Sequence, residues 1–470
     1  MSNPYQYGNV VSDPNMFFGR EDILRKLCTR LENMESTSVV GLRRIGKSSL
    51  LFQLARILPS RLGRNYVPLY VDLHDARYRT VTSFVNTVAL RVDQKLGGVL
   101  GVEAEDTISH EGIPQQDHLI RLRQILDARF SRDELRTLCF DLDVDYENLP
   151  GECKASKARE LVIYLERRGR ISHLVKLGAK KRPNEVWEDT PKAAGELPAS
   201  FQNGPLGRVR GFLRPKRSRS RLTFGTVTDM ASFSEMLDIL DDTDIRPVLC
   251  LDEFEEFTRH PKEFGDDFVE PLRSLGVHSK LAMVTASRRP LIDLVKGGQL
   301  TSPFYNIFAQ MELGLLGYDA ARELRRIPFE RDNIVLSPEH EALVKELGGR
   351  HPFFLQMACH HLFETFPGPR DKWTDFVQER FSHDAEPHFD QLRDYLSDRE
   401  PAALGVVVGQ DSLSDETEAA LKRLERLGVV ERRNGDWQPF SQAFAKHVRR
   451  YLPPKRRNAL QWLRDRVRQS

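Results

Sequence analysis

The chain has 470 residues, which is too long for a single hydrophobic core and predicts about two to four domains. The apolar content (40%) and charged content (29%) are typical of a globular protein. A net charge of +2 gives no global attraction to nucleic acid or acidic lipid, so any basic partner surface must be local. The five cysteines are scattered without CxxC spacing, which argues against a zinc finger or a disulfide framework and favours a reducing compartment. No apolar run approaches roughly 18 residues, so we expect a cytoplasmic protein with no membrane partner.

The first hundred residues alternate between helical and strand patterns. Residues 1–16 are polar, and we expect them to be flexible. A helix should begin near Glu21, apolar runs at 38–40 and 66–74 predict strands, and residues 82–96 form an amphipathic helical pattern. This alternation favours an α/β fold, with a parallel sheet and crossover helices.

The alternation stops near residue 100. Residues 117–177 are helical in pattern, with a capping box at Ser131 and Glu134, and predict a small α-helical bundle. Residues 178–222 are poor in apolar residues and predict a flexible basic linker. Seven Lys or Arg in 208–221 could contact phosphates, although a solvated linker is the better interpretation.

Strand and helix patterns return after the linker, with strands at 248–251 and 281–286. We therefore expect one discontinuous P-loop NTPase core, residues 17–100 and 223–312, interrupted by the helical insertion. Residues 313–390 are helical again.

The last part of the chain combines helices with a hairpin signal. Within residues 391–452, a helix at 417–427 precedes two short strands that flank Asn434-Gly435, the strongest short hairpin signal. This order predicts a C-terminal winged helix, followed by a basic tail at 453–470.

A phosphate-binding motif follows the first predicted strand. The sequence from Gly41 to Ser48 matches Gly-x-x-x-x-Gly-Lys-Ser/Thr and opens an amphipathic helix. The glycines let backbone N–H groups wrap phosphates at a helix N-terminus, while Lys47 reaches the β and γ oxygens and Ser48 binds magnesium. The predicted phosphate ligands are Gly41, Arg44, Gly46, Lys47, Ser48 and Ser49. For Arg43 and Arg44, a surface role is an equal alternative.

The buried strand at 248–251 ends in two carboxylates, Asp252 and Glu253. Burying a charge without a partner is costly, so two adjacent acids at the end of a buried strand indicate a function. We expect Asp252 to hold magnesium through water and Glu253 to polarise the attacking water. The alternative is that these acids simply mark a solvated strand end, and the further acids Glu255 and Glu256 nearby are compatible with it.

Polar residues also follow the next strand. Ser287 could sense the γ-phosphate, and Arg288 could neutralise charge in the transition state, whereas a solvated turn before Pro290 is the alternative. The predicted catalytic residues are Lys47, Asp252, Glu253 and Arg288, and the predicted magnesium ligands are Ser48 and Asp252. His351, His360 and His361 have no further ligand at suitable spacing, so we expect no metal there.

Several of these motifs together resemble the STAND-class NTPases of bacteria, relatives of the NLR and apoptosome ATPases within the AAA+ group. They are FFGRE from residue 17, the loop RRIGKSSLL, LCLDEFEEF and TASRR. GGRHPFFLQ resembles the Gly-x-Pro motif of the helical lid of that class, with two residues between Gly349 and Pro352. The resemblance implies that residues 313–390 form the lid and that ATP or ADP is bound with Mg²⁺. It places Phe18, Gly19 and Arg20 near the adenine, and Pro352 against the base or ribose. The guanine motif NKxD is absent from the sequence.

Residues 117–177 separately resemble the small death-like, effector-associated domains of bacterial conflict systems. LRTLCFDLDVDYENLPGE and KARELVIYLERRGR carry this likeness. Such domains pair homotypically and couple a switch to an effector. The two resemblances imply a slow ATPase that acts as a signalling switch, with an effector or adaptor protein as partner of residues 117–177 and with self-association on activation.

Two other functions are alternatives. One is a DNA-binding AAA+ ATPase of origin-recognition or transcription-regulator type that uses the winged helix, and a weaker one is a remodelling ATPase that acts on proteins. The helix at 417–427 mixes acids and bases, whereas a groove-reading helix should be mainly basic or amide-bearing. Nucleic acid is therefore the less favoured partner, although Arg432, Arg433 and the tail could contact phosphates.

Overall fold

The computed structural model describes residues 3–103, 122–123, 125–127, 129–142, 144–146, 149, 154–166, 170–182, 187, 224–297, 302–366, 372–409 and 413–451. Most of the predicted linker, its basic run at 208–221 and the tail at 453–470 lie outside these residues. Contacts divide the chain into two compact units, residues 1–102 with 208–470, and residues 103–207. Among the described helices, none combines the length and the apolar character that a membrane crossing requires.

The first unit is built on a five-stranded parallel sheet, which confirms the predicted α/β class. Its strands are β1 (Ser36–Val40), β2 (Tyr66–Asp72), β3 (Arg246–Asp252), β4 (Ala282–Ser287) and β5 (Phe308–Glu312). Their order is β2-β3-β4-β1-β5. The register pairs Val40 with Ser287 and Asp72 with Asp252, so the carboxyl ends of these strands share one edge of the sheet.

The helices before the second half of the sheet are α1 (Glu21–Glu32), α2 (Lys47–Arg61), α3 (Val81–Lys95), α4 (Arg132–Asp141), α5 (Lys154–Glu166), α6 (Ile171–Lys181) and α7 (Met230–Asp242). Those that follow β3 are α8 (Glu255–Arg259), α9 (Asp266–Val277), α10 (Leu291–Gly297), α11 (Tyr318–Arg331), α12 (Pro338–Gly348), α13 (Pro352–Phe363), α14 (Trp373–Arg399), α15 (Pro401–Val407), α16 (Asp415–Arg426) and α17 (Gln442–Tyr451).

Apolar clusters hold helices of the first unit to the sheet. Leu27 of α1 and Leu50 of α2 share one buried cluster with residues of β1, β3 and β4. Elsewhere in the unit, Phe84 of α3 contacts the rings of Phe257 and Phe268 from α8 and α9. Because every buried ring removes a large apolar area from water, these contacts fix the strand ends that carry the polar residues.

Residues 3–16, which we expected to be flexible, lie against the first unit. The side chain of Tyr5 is fully buried, and its hydroxyl donates to the carbonyl of Leu324 at 3.0 Å. The N–H of Val11 donates to Ser49 Oγ at 3.0 Å. The prediction therefore needs correction, because single aromatic residues in a polar stretch show no periodicity and yet anchor it.

The C-terminal third of the first unit is one apolar cluster of helices α11 to α17 with a hairpin. The predicted hairpin is confirmed by the antiparallel strands β6 (Val430–Arg433) and β7 (Asp436–Pro439). Asn434 and Gly435 adopt positive φ angles of 51° and 92°, as a tight hairpin turn requires. Helix α14 runs without a break through residue 390, where we had placed a domain boundary.

The second unit has its own apolar core, which runs from Leu122 to Trp187. The capping box of Ser131 and Glu134 at the start of α4 is confirmed. Gly178 lies against the Trp187 ring, and a Cβ at that position would come within 2.3 Å of it. The core therefore extends past residue 177, where the sequence had suggested that the module ends.

Candidate functional site

The loop between β1 and α2 has the backbone geometry that its glycines predict. Gly46 has a φ of 99° and Arg44 a φ of 65°. The N–H of Gly41 donates to the carbonyl of Ser287 at 3.0 Å, and a Cβ on Gly41 would come within 2.9 Å of the Leu313 carbonyl. Any larger residue would push the loop out of this position, because Gly41 touches the backbone that follows β5.

Lys47 begins α2 and points back into the loop. Its side chain is only 6% exposed, and Nζ donates to the carbonyls of Gly41 (2.9 Å) and Leu42 (3.1 Å). Burial lowers the pKa of Lys47, an effect that the negative charges of Glu253 and Asp252 oppose. Among the described residues no carboxylate lies within ion-pair distance of Nζ. A buried ammonium group with only neutral oxygen partners at the N-terminal end of a helix suits a phosphate ligand.

Asp252 ends β3 and is 2% exposed. Its Oδ2 accepts a hydrogen bond from the Tyr70 hydroxyl at 2.7 Å. Burial raises the pKa of Tyr70 well above its ordinary value, and it raises that of the neighbouring Asp72 to about 6. The phenol thus holds the carboxylate of Asp252, one of the two predicted magnesium ligands. Oxygen donors of this kind are those that Mg²⁺ prefers.

Glu253 follows Asp252 with a φ of 52°, a conformation that non-glycine residues rarely adopt. Its Oε2 lies 3.4 Å from Nη2 of Arg288 and 3.9 Å from Nε2 of His74. The backbone N–H of Arg288 donates to Glu255 at 2.5 Å. The predicted catalytic carboxylate and the predicted catalytic arginine are therefore in contact with each other.

A cavity of about 290 Å³ lies over the P loop. The predicted site residues that line it are Phe18, Arg20, Arg44, Gly46, Lys47, Ser48, Ser49, Glu253 and Pro352. Those that do not line it are Gly19, Gly41, Asp252, Ser287 and Arg288. The cavity is also lined by residues that no sequence motif marks, among them Tyr7, Val10, Val11, Phe353 and Gln356. Two isolated aromatic residues, Tyr5 and Tyr7, in an otherwise polar segment were the available signal.

Several predicted ligands use their polar groups within the protein. The guanidinium of Arg20 is 7% exposed and donates to the carbonyls of Gly314 (2.6 Å) and Ile45 (3.3 Å), and burial lowers its pKa to about 10. Arg20 therefore ties the P loop to the chain after β5. Gly19 has a φ of 72° and leaves no room for a Cβ, which would lie 2.1 Å from that of Ala320.

Three more side chains have protein partners around the loop. Ser49 Oγ accepts the Val11 N–H, and Ser287 Oγ donates to the carbonyl of Arg289 at 2.7 Å. The Arg44 guanidinium lies over the ring of Phe353, 4.3 Å from its centroid. This last contact joins the P loop to α13.

The parallel sheet, the loop that opens α2 and the carboxylates that end β3 define a P-loop NTPase. Residues 242–412 match the family model Novel STAND NTPase 2, and residues 122–183 match effector-associated domain 7. These two matches support a STAND-type NTPase with an effector-associated domain. No curated protein matches its sequence.

Three solved structures are similar to this chain over most of its length. The Walker-type ATPase PABY2304 of Pyrococcus abyssi is 15% identical, with a TM-score of 0.43, and the match covers 94% of this chain and 99% of that one. The Aeropyrum pernix ORC1 protein in complex with DNA is 11% identical, with a TM-score of 0.35 and coverages of 93% and 94%. The ORC2 protein of the same organism, in ADPNP–ADP complexes, is 11% identical, with a TM-score of 0.36 and coverages of 92% and 93%.

Proposed function

We propose that this protein is an ATP/ADP-dependent signalling switch whose effector-associated module is the output. The observation that carries the proposal is the composition of the P-loop cavity. Lys47 and Ser48 of the core, Pro352 and Phe353 of the lid helix α13, and the N-terminal segment all line it. A ligand there contacts the core and the lid at once. Two ligands that differ by one phosphate can therefore favour different arrangements of the two.

We infer the following roles for the residues around the cavity. Gly41, Gly46 and Lys47 hold the phosphates, and Ser48 with Asp252 would hold Mg²⁺, which neutralises phosphate charge when bound. Glu253 polarises the attacking water, and Arg288 neutralises developing charge. Phe18 and Pro352, which line the cavity, border the base and ribose.

The contact between Arg288 and Glu253 supports slow hydrolysis. The guanidinium lies 3.4 Å from one carboxylate oxygen, Oε2, and competes there with a water molecule that would give up its proton. A regulatory ATPase benefits from this competition because the ATP-bound state must last long enough to signal. As the resemblance implies, ATP hydrolysis is slow in this proposal, and the switch acts in a bacterial defence or conflict system.

The charge of α16 supports a structural role for the C-terminal helices and hairpin over DNA binding. The basic side chains of α16 are paired with acids, as in Lys422–Glu418 (3.0 Å), Arg426–Glu312 (2.6 Å) and Arg423–Glu400. A recognition helix needs its bases available for phosphates and base edges.

Nucleotide binding is tested with Lys47→Ala. The substitution removes the buried ammonium group, so ATP affinity measured by fluorescence titration should fall by at least about 100-fold. Lys26→Ala, on the exposed face of α1, is the matched control and should bind as wild type. If a folded Lys47→Ala variant binds ATP as tightly as the wild type, the assignment of the phosphate site is wrong.

Hydrolysis is tested with Glu253→Gln, which keeps the shape of the side chain and removes its basicity. ATP should still bind while turnover falls by about two or more orders of magnitude. Glu263→Gln, an exposed acid before α9, should hydrolyse ATP as wild type does. If Glu253→Gln hydrolyses ATP at the wild-type rate, another carboxylate must polarise the attacking water.

The switch itself is tested by size measurement with ADP and with a non-hydrolysable ATP analogue. The wild type should self-associate with the analogue only, and a chain lacking residues 117–187 should bind ATP and stay monomeric. If that deletion still assembles, and if charge reversal at Arg432 and Arg433 abolishes tight duplex DNA binding, the DNA-binding alternative is correct.

A further inference from the structure

Two histidines and a glutamate converge near the C-terminal end of α13. One ligand atom each of His360, His361 and Glu364 lies within 4.8 Å of the other two. His360 Nε2 is 3.3 Å from Glu364 Oε1, and His361 Nδ1 is 3.5 Å from Glu364 Oε2. None of these residues lines the P-loop cavity.

The other nitrogen of each ring faces an acceptor. His360 Nδ1 lies 2.7 Å from the carbonyl oxygen of Tyr5, and His361 Nε2 lies 3.2 Å from Asp384 Oδ2. Asp384 is in turn held by the Tyr7 hydroxyl, which donates to it at 2.7 Å. A carbonyl or a carboxylate can only accept, so these two ring nitrogens carry the proton in the neutral imidazoles.

This assignment leaves His360 Nε2 and His361 Nδ1 with lone pairs, both directed at the carboxylate of Glu364. Three electron-rich groups at this separation repel one another unless a cation lies between them. The cation is either a proton on each ring or one metal ion. The burial of His361, which is only 4% exposed, and the approach of three ligand atoms to within 4.8 Å of one another suit a single metal ion shared by all three.

We propose that His360, His361 and Glu364 bind one divalent transition-metal ion of the Zn²⁺ class, with water completing the coordination. Two imidazole nitrogens and a carboxylate suit zinc better than Mg²⁺ or Ca²⁺, which prefer oxygen ligands. The Tyr5 carbonyl and Asp384 provide the outer hydrogen-bond partners that orient histidine ligands at metal sites. The side chain of Glu364 is 44% exposed, so water and the metal can reach the site.

The site would fasten the N-terminal segment to the lid. His360 contacts Tyr5 of that segment, and Asp384 of α14 contacts Tyr7. A bound metal fixes both rings and thereby both contacts. Removing the metal should loosen residues 3–12 without removing a phosphate ligand.

The test is zinc binding by the full-length protein after chelator treatment, at pH 7.5 and in excess Mg²⁺. Competition with a chromophoric chelator should show one Zn²⁺ per chain, bound at micromolar or tighter affinity. His361→Gln and Glu364→Gln should each weaken binding by about 10–100-fold or more. His383→Gln, an exposed histidine next to Asp384, should bind zinc as wild type.

Cobalt provides a second readout. Co²⁺ in the wild type should give the visible absorption bands of a four-coordinate site, and His361→Gln should lose them. If the wild type binds no zinc under these conditions, or if His361→Gln binds it as tightly, the proposal is overturned and protons occupy the cluster. Because the wild-type measurement decides on its own, the test stands even where a variant fails to fold.

Discussion

A buried ion pair joins the segment between α12 and α13 to the hairpin and gives a sharp test of their coupling. Arg350 follows α12, and its Nε and Nη2 lie 2.9 and 2.7 Å from Glu431 Oε2 on β6. Its Nη1 donates to the carbonyl of Leu316 at 2.5 Å. Glu431 is 1% exposed, so its charge depends on protein partners. Arg350→Ala removes both donors to Oε2 and leaves Arg433, at Oε1, as the other ion-pair partner of the buried carboxylate among the described residues.

The expected loss follows from the cost of an uncompensated buried charge. Breaking a buried pair by removing one partner costs about 3–5 kcal/mol, and the remaining Arg433 places this case near the lower end. Urea unfolding followed by circular dichroism should therefore show a free energy of unfolding about 3 kcal/mol lower for Arg350→Ala. The double variant Arg350→Met with Glu431→Met should recover most of the loss, because it removes both charges.

The control is Arg322→Ala, which breaks the exposed pair with Asp319 on α11. The two side chains are 58% and 85% exposed, and the change should stay within about 0.5 kcal/mol. The reasoning is refuted if Arg350→Ala costs no more than Arg322→Ala. It is also refuted if the double variant is as unstable as the single one, since the loss would then come from packing and not from charge.

Three further predictions concern the core and the module. Tyr70→Phe removes a hydrogen bond to the buried carboxylate of Asp252, worth about 1.5–3 kcal/mol, so ATP affinity should fall about tenfold or more with Mg²⁺ and stay unchanged in EDTA. Tyr66→Phe on the same strand is the control. If either variant lost as much ATP affinity without Mg²⁺ as Tyr70→Phe loses with it, this role would be contradicted. The pKa of Asp72, about 6 when folded, lies above its ordinary value, so its contribution to stability is greatest below about pH 4 and falls as the pH rises toward 6. In magnesium-free buffer Asp72→Asn should therefore raise the melting temperature at pH 7.5 and change it little at pH 4. Residues 117–187 expressed alone should give a helical circular-dichroism spectrum and melt cooperatively, because they enclose their own core; a non-cooperative melt would contradict this.

The phosphate loop and the strand-end acids could be predicted because each is a local signal. Gly46 and Lys47 follow an apolar strand at fixed spacing, and Asp252 with Glu253 interrupts a run that is otherwise buried. Parallel sheets bring such strand ends to one edge, so the two motifs could be placed together without further information. The capping box at Ser131 and the hairpin turn at Asn434 are local in the same way.

The partners of those residues could not be predicted because they come from distant parts of the chain. The Tyr70 hydroxyl reaches Asp252 across 182 positions, and Tyr5 reaches Leu324 across 319. Neither tyrosine belongs to a periodic pattern that marks its role. Arg20 was assigned to the adenine by resemblance, whereas its guanidinium bonds carbonyls that follow β5, a contact that depends on the tertiary fold.

The sheet order has a consequence for synthesis on the ribosome. In the described sheet β1 pairs with β4 and β5, and β2 pairs with β3. All three partners are translated after residue 245, so the strand that carries the phosphate loop must wait until the chain has grown past residue 282. From the end of β2 at residue 72 to the start of β3 at residue 246 the ribosome adds 174 residues (246 − 72). At about 5–20 residues per second this takes roughly 10–35 seconds, during which both strand edges remain unpaired. A slower codon stretch within the module would lengthen that interval, and the first hundred residues would then be the part of the nascent chain most exposed to chaperones and to aggregation.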